Sequence, residues 1–140
     1  GLVATAGTAY VLLERLDWLA VLVGVPVGLW AVALLMANNL RDIAGDAAAG
    51  KRTLAVRLGD RRTRLAYLAV LEASYAAALA ASFTGRAAAA AVVGAPFAVG
   101  AVRTVLRGVS GPNLIPVLGA TARTQLVSGL AMAVGIALTG

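Results

Sequence analysis

Between Trp18 and Ala37 the chain carries no charged side chain. A bilayer-spanning helix needs about 20 consecutive, mostly apolar residues, and this run is long enough. The same pattern recurs. Asp17–Ala37 reads as a full span and Leu65–Phe83 as a span interrupted by Glu72. Ala87–Leu106 reads as a span that ends at Arg103 and Arg107, and Leu114–Leu138 as one that contains Arg123. Gly1–Leu13 is a shorter apolar stretch without a basic leader or a cleavage-type end, so it reads as a helix already under way and not as a signal peptide. That start suggests a piece of a longer chain.

Composition agrees. Hydrophobic residues make up 61% of the 140 positions and charged residues only 13%, with a mean hydropathy of +0.89. Soluble domains carry about 25% charged residues. This balance excludes a disordered tail, a soluble nucleic-acid-binding domain and most soluble enzymes. The apolar runs show no period-two alternation, and alanine and leucine favour helix. Backbone groups in lipid must be satisfied within each segment, which helices achieve. The expected fold is therefore all-α, a multi-pass transmembrane bundle of about five spans forming one domain over residues 1–140. Pro26 and Pro96 are expected to kink their spans. The G-x-x-x-G spacing of Gly24 and Gly28, with abundant alanine, is expected to let helices approach closely.

The only long polar stretch is Asn38–Arg64, expected as a loop. It carries Arg41, Lys51, Arg52, Arg57, Arg61, Arg62 and Arg64. Basic residues alternate between rich and poor from turn to turn. By the positive-inside rule this loop and the Arg107–Asn113 turn face the cytoplasm of a bacterial inner membrane. Topology alone accounts for the basic cluster, so nucleic acid is not an expected partner.

The chemistry open to the chain is narrowed by two absences, since it has no cysteine and no histidine. Thiolate and imidazole metal sites are excluded, as are histidine triads. Any metal must be a hard cation held by oxygen. Asn38, Asp42 and Asp46 fall four residues apart. On a helix such a row drifts by only about 40° per step, so the three side chains share one face. Two carboxylates on one face repel unless a positive charge lies between them. Magnesium serves, because it uses one or two carboxylates and takes further ligands from water and substrate phosphates. Arg41, Lys51 and Arg52 stand where the remaining phosphate charge would be met. The constellation reads as a metal–diphosphate site at the membrane surface, for a substrate with an anionic head and a greasy tail.

The run N-N-L-R-D-I-A-G-D-A-A-A-G-K-R-T-L-A-V-R-L-G over Asn38–Gly59 resembles the second aspartate-rich motif of the UbiA superfamily of membrane prenyltransferases. It is most similar to the branch that prenylates 1,4-dihydroxy-2-naphthoate in menaquinone synthesis. G-T-A-Y at Gly7–Tyr10 and A-R-T-Q-L at Ala122–Leu126 extend the resemblance. The resemblance implies a bundle of about nine helices in which two aspartate-rich motifs bind magnesium and a polyprenyl diphosphate. Asp42 and Asp46 would be the catalytic, metal-linked carboxylates. Asn38, Asn39, Arg41, Lys51 and Arg52 would contact substrate. The prenyl chain would replace the carboxyl group of the aromatic acceptor. The first aspartate-rich motif is absent here, so the chain is expected to be the second half of such a bundle, lacking its N-terminal partner half. Two other readings stand beside this one. The acceptor would be another aromatic ring, or the chain would be a non-catalytic module whose basic loop docks on anionic lipid.

Outside the motif, Glu72 lies deep in a span. It is expected either to pair with Arg123 or to serve the cavity. Tyr10, Tyr67 and Tyr75 are expected mainly as packing or interface residues, with cation stabilisation by their ring faces as the alternative. Arg103 and Arg107 are expected as topology anchors.

Overall fold

The computed structural model describes residues 1–140, all in helices and short connections with no strand. The helices are α1 (Leu2–Leu13), α2 (Trp18–Arg41), α3 (Ile43–Ala48), α4 (Leu54–Leu58), α5 (Asp60–Ala81), α6 (Ala95–Leu106) and α7 (Ile115–Leu138). Four segments are long and apolar enough to cross a membrane: Trp18–Arg41, Asp60–Thr84, Ala88–Leu106 and Gly111–Leu138. The expected fifth span differs. Helix α1 forms where anticipated, but its 12 residues reach only about 18 Å at 1.5 Å per residue.

Local sequence explains the boundaries. Helix α1 ends at Glu14, whose φ of 52° is left-handed and whose N–H bonds the Tyr10 carbonyl. Asp17 then caps α2, its carboxylate accepting from the N–H groups of Leu19 at 2.7 Å and Ala20 at 3.4 Å. Helix α2 runs through Pro26, which is buried. Pro96 lies mid-span, as expected, where the span changes from a 3₁₀ helix to α6 and Pro96 occupies the first turn of α6. Proline has no N–H for the carbonyl four residues back, here Val92. The N–H of Ala95 bonds Val92 instead, which closes the tighter 3₁₀ turn. Ala88–Gly94 is accordingly a 3₁₀ helix leading into α6.

Helix α2 packs on α5, and α7 packs on the Ala88–Leu106 segment. The seam of that second pair is made of small residues. Ala88, Ala91, Gly94, Ala98 and Ala101 are buried against a face of α7 that buries Thr121, Thr124, Ser128 and Gly135. A Cβ on Gly94 would stand 2.8 Å from the Ser128 nitrogen and 3.0 Å from the Thr124 carbonyl oxygen. Gly24 and Gly28 play the expected part on the other side. A Cβ on Gly24 would lie 3.2 Å from the Leu2 Cα, so the pair lets α1 sit backbone to backbone on α2.

Tyr67 is 1% exposed and its hydroxyl lies 2.7 Å from Thr121 Oγ1. The Tyr75 hydroxyl lies 3.1 Å from Ser128 Oγ, and its ring meets Trp30 edge-on with centroids 5.7 Å apart. Both tyrosines therefore tie α5 to α7 as packing residues. Tyr10 is exposed.

Arg64 holds one end of the bundle together. It is 6% exposed. Its Nε and Nη2 donate to the two Asp60 carboxylate oxygens at 2.6 Å each. Its Nη1 donates to the carbonyls of Val105 at 2.6 Å and Val109 at 2.9 Å. The start of α5 and the turn after α6 thus lie at the same end, beside the polar stretch. The loop expected over residues 38–64 is in fact mostly helical: α2 extends to Arg41, α3 and α4 follow, and α5 starts at Asp60.

Candidate functional site

The Asn38–Asp42–Asp46 row spans a joint. Helix α2 ends at Arg41 and α3 begins at Ile43, with Asp42 between them at φ −95° and ψ 3°. The four-residue spacing survives this break. The Asp42 N–H bonds the Asn38 carbonyl at 3.2 Å, and the Asp46 N–H bonds the Asp42 carbonyl at 2.8 Å. The row therefore follows one helical path past the end of the span.

The G-K-R-T run is built by turn chemistry. Gly50 has φ +70°, a region glycine enters without a Cβ penalty. Around it the Gly50 N–H bonds the Ala47 carbonyl at 3.1 Å and the Lys51 N–H bonds the Asp46 carbonyl at 2.8 Å. This is the paired bonding of a Schellman cap closing α3. The reversal returns Lys51 to Asp46, with Nζ 3.2 Å from the carboxylate. Thr53 caps α4, its hydroxyl accepting from the Val56 N–H at 3.4 Å.

Each aspartate carries a cation. Arg41 donates from Nε and Nη2 to Asp42 at 2.7 and 2.6 Å. The Arg41 guanidinium holds the Asp42 carboxyl below the usual carboxylate range. Lys51 serves Asp46, whose side chain is only 12% exposed against 39% for Asp42. Arg52 is exposed and makes no ion pair, and Asn39 is half-buried. The structure thus brings Arg41, Asp42, Asp46 and Lys51 together in two pairs. It leaves the Arg52 side chain free.

The donor set suits a hard cation in a specific way. Both carboxylates offer oxygen only, and no group of three carboxylate, histidine or cysteine side chains gathers anywhere in the chain. These residues alone form no closed metal cage. They fit an ion that draws its other ligands from diphosphate and water, as magnesium does.

Asn38 connects the row to an apolar groove. A hollow of about 490 Å³ between α2 and α7 is lined by Ala31, Leu34, Leu35, Asn38, Leu118 and Gln125. A second hollow of about 470 Å³ runs between α1 and α2 past Gly24 and Gly28 and shares Ala31 and Leu35 with the first. The groove therefore follows α2 from Asn38 to Gly24, about 21 Å at helical rise. Asp42 and Asp46 lie beyond its Asn38 end and line neither hollow.

Of the two readings of Glu72, the pair with Arg123 does not form, and both residues are exposed. Glu72 instead lines a separate hollow of about 290 Å³ between α5 and α6, together with Arg103. Two residues that the sequence pattern did not single out matter here. Arg64 was one basic residue among many in its stretch, and Gln125 carried only the A-R-T-Q-L similarity.

Residues 1–112 match the UbiA prenyltransferase family. The chain belongs to the UbiA prenyltransferase family. It is 40% identical over its whole length to a Mycobacterium leprae protein named 1,4-dihydroxy-2-naphthoate octaprenyltransferase, covering 48% of that relative. It is 41% identical over 137 residues to the Mycobacterium tuberculosis protein of the same name, covering 98% of this chain and 47% of that relative. A Haemophilus influenzae protein of that name is 45% identical over 71 residues, covering 51% of this chain and 23% of the relative. The chain thus spans about half the length of the first two relatives. No solved structure matches it significantly.

Proposed function

We propose that this chain supplies the C-terminal half of a magnesium-dependent enzyme. The enzyme transfers a polyprenyl chain from its diphosphate to 1,4-dihydroxy-2-naphthoate in menaquinone synthesis. The observation that carries the reading is the joint between motif and groove. An oxygen-only pair of aspartates with basic partners stands at the end of an open apolar groove that can take part of an isoprenoid tail. The similarity to proteins named 1,4-dihydroxy-2-naphthoate octaprenyltransferase runs along the whole chain and supports this acceptor.

In this reading Asp42 and Asp46 would hold the metal. Bound there, magnesium would supply Lewis-acid stabilisation to the departing diphosphate. Arg41 and Lys51 sit on the aspartates through long flexible side chains. They turn from carboxylate to phosphate oxygen as the substrate arrives, and the free Arg52 adds a third positive charge. Asn38 and Asn39 flank the head group at the groove mouth. The tail enters beside Asn38 and runs on along the α1–α2 hollow toward Gly24, which leaves the α2–α7 hollow to the acceptor, and the apolar walls keep water from the allylic carbon as its bond to diphosphate breaks. The first aspartate-rich motif, on the other half of the bundle, would complete the site. The basic end faces the cytoplasm of the cell membrane, in keeping with the charge asymmetry of the turns.

The test is an acceptor panel with the purified full-length protein that contains this segment, given a polyprenyl diphosphate and magnesium. Dihydroxynaphthoate is expected to yield prenylated product, whereas 4-hydroxybenzoate and homogentisate yield little. Preference for another acceptor, or no transfer to any, overturns the proposal.

A further inference from the structure

The neutral polar side chains of α7 show a contrast. Thr121 bonds the Val117 carbonyl and meets Tyr67. Thr124 bonds the Ala120 carbonyl, and Ser128 meets Tyr75. Gln125 sits among them, half-buried, and its side-chain amide bonds no other group of the chain. Its amide has two donor hydrogens and an acceptor oxygen.

Its position makes this more than a surface detail. Gln125 lies ten residues beyond Ile115 along α7, about 15 Å into the span at helical rise. That is too deep for a glutamine side chain to reach the interface. The wall it shares is otherwise apolar apart from Asn38. The Gln125 amide is not sealed in the protein interior; it faces this apolar wall with its donors and acceptor open to a partner from outside the chain. Helix α2 ends at the motif and α7 starts beside it, so the two run in opposite senses. Asn38 is therefore at the mouth of the hollow and Gln125 is deeper, about two turns beyond Leu118.

Of the two substrates in the proposed reaction, the prenyl tail offers the amide nothing to bond. The diphosphate belongs at the aspartate end. The aromatic acceptor brings oxygen substituents on a flat ring that fits a hollow of about 490 Å³, within the usual range for small-molecule sites. We infer that the Gln125 amide hydrogen-bonds a ring oxygen of the aromatic acceptor and fixes which ring carbon faces the allylic carbon. The inference rests on the prenyl-transfer reading above and adds a specificity residue to it.

The test uses the full-length protein and Gln125→Met, which keeps the length and shape of the side chain while removing both hydrogen-bonding groups. The expected result is a rise of about tenfold or more in KM for dihydroxynaphthoate, consistent with one lost hydrogen bond, and KM for prenyl diphosphate within twofold. The two monohydroxy-2-naphthoates serve as competitive inhibitors. In the wild type one of them binds about tenfold more weakly than dihydroxynaphthoate, and in Gln125→Met that difference shrinks below threefold. Gln125→Glu keeps an acceptor but loses the donor, and it separates the two halves of the bond. An unchanged inhibitor ratio, with any loss of activity shared equally between both substrates, overturns the inference and leaves Gln125 as a contact to another span. Absence of prenyl transfer in the wild type fails the functional reading instead, so the two failures are distinguishable.

Discussion

Replacing Arg64 with alanine removes four hydrogen bonds from a side chain that is 6% exposed. Three groups lose a cationic donor. The Val105 carbonyl keeps a second partner, because the Gly108 N–H reaches it at 3.2 Å. The Val109 carbonyl has no such replacement. The Asp60 side chain is 50% exposed, so water restores much of its solvation. A hydrogen bond to a charged group is worth about 1.5–3 kcal/mol, and breaking a fully buried ion pair costs about 3–5 kcal/mol. With one partner half in water, the expected loss is about 2–4 kcal/mol. The neighbouring Arg62 is exposed and without an ion-pair partner, so Arg62→Ala shifts stability by less than about 0.5 kcal/mol. Denaturant unfolding of the full-length protein in mixed micelles, followed by circular dichroism, reads both variants. Arg64→Lys lies between them, because one ammonium cannot span a carboxylate and two carbonyls. Equal stability of Arg64→Ala and Arg62→Ala would refute the view that this guanidinium joins α5 to the turn after α6.

Three further outcomes follow from the same geometry. Gly50→Ala forces a Cβ into a left-handed turn and costs about 1–2 kcal/mol, measured by the same unfolding assay. It also loosens Lys51 from Asp46. Gly94→Ala drives a methyl into the α7 backbone and destabilises by about 1–3 kcal/mol, whereas Gly100→Ala, with open space around its Cβ, does not. Because Arg41 lowers the Asp42 carboxyl, that ion pair stabilises the folded state above the unfolded carboxyl value near pH 4, and the contribution is lost as pH falls through the lowered folded value. Arg41→Gln moves the Asp42 titration back up toward the ordinary range in a carbon-detected NMR titration, and an unmoved midpoint contradicts the assignment.

What the sequence discloses and what it hides divides along physical lines. Apolar runs announce spans because lipid demands them, and the boundaries of α2, α5 and α7 fall within a few residues of those expected. The Asn38–Asp42–Asp46 spacing is a local periodicity and survives a helix joint. Arg64 could not be told from its neighbours because its carbonyl partners lie 41 and 45 residues away. The 3₁₀ lead-in before Pro96 is not legible because apolar composition does not distinguish it from an α-helix. Which of the two readings of Glu72 holds is not legible for a similar reason: which helix face meets which neighbour depends on packing angles, and these place Glu72 beside a hollow that Arg103 also lines while Arg123 lies exposed on α7. Gln125 was hidden within a helical run, where only the bonding of its neighbours reveals that it lacks a partner.

Turnover as a function of magnesium, compared between the full-length protein and its Asp42→Asn plus Asp46→Asn variant, tests the central claim most directly. Both substitutions preserve shape while removing the charge that would hold the cation. The account predicts a loss of at least a hundredfold in turnover at limiting magnesium, with helical content retained. Undiminished turnover under those conditions would contradict it.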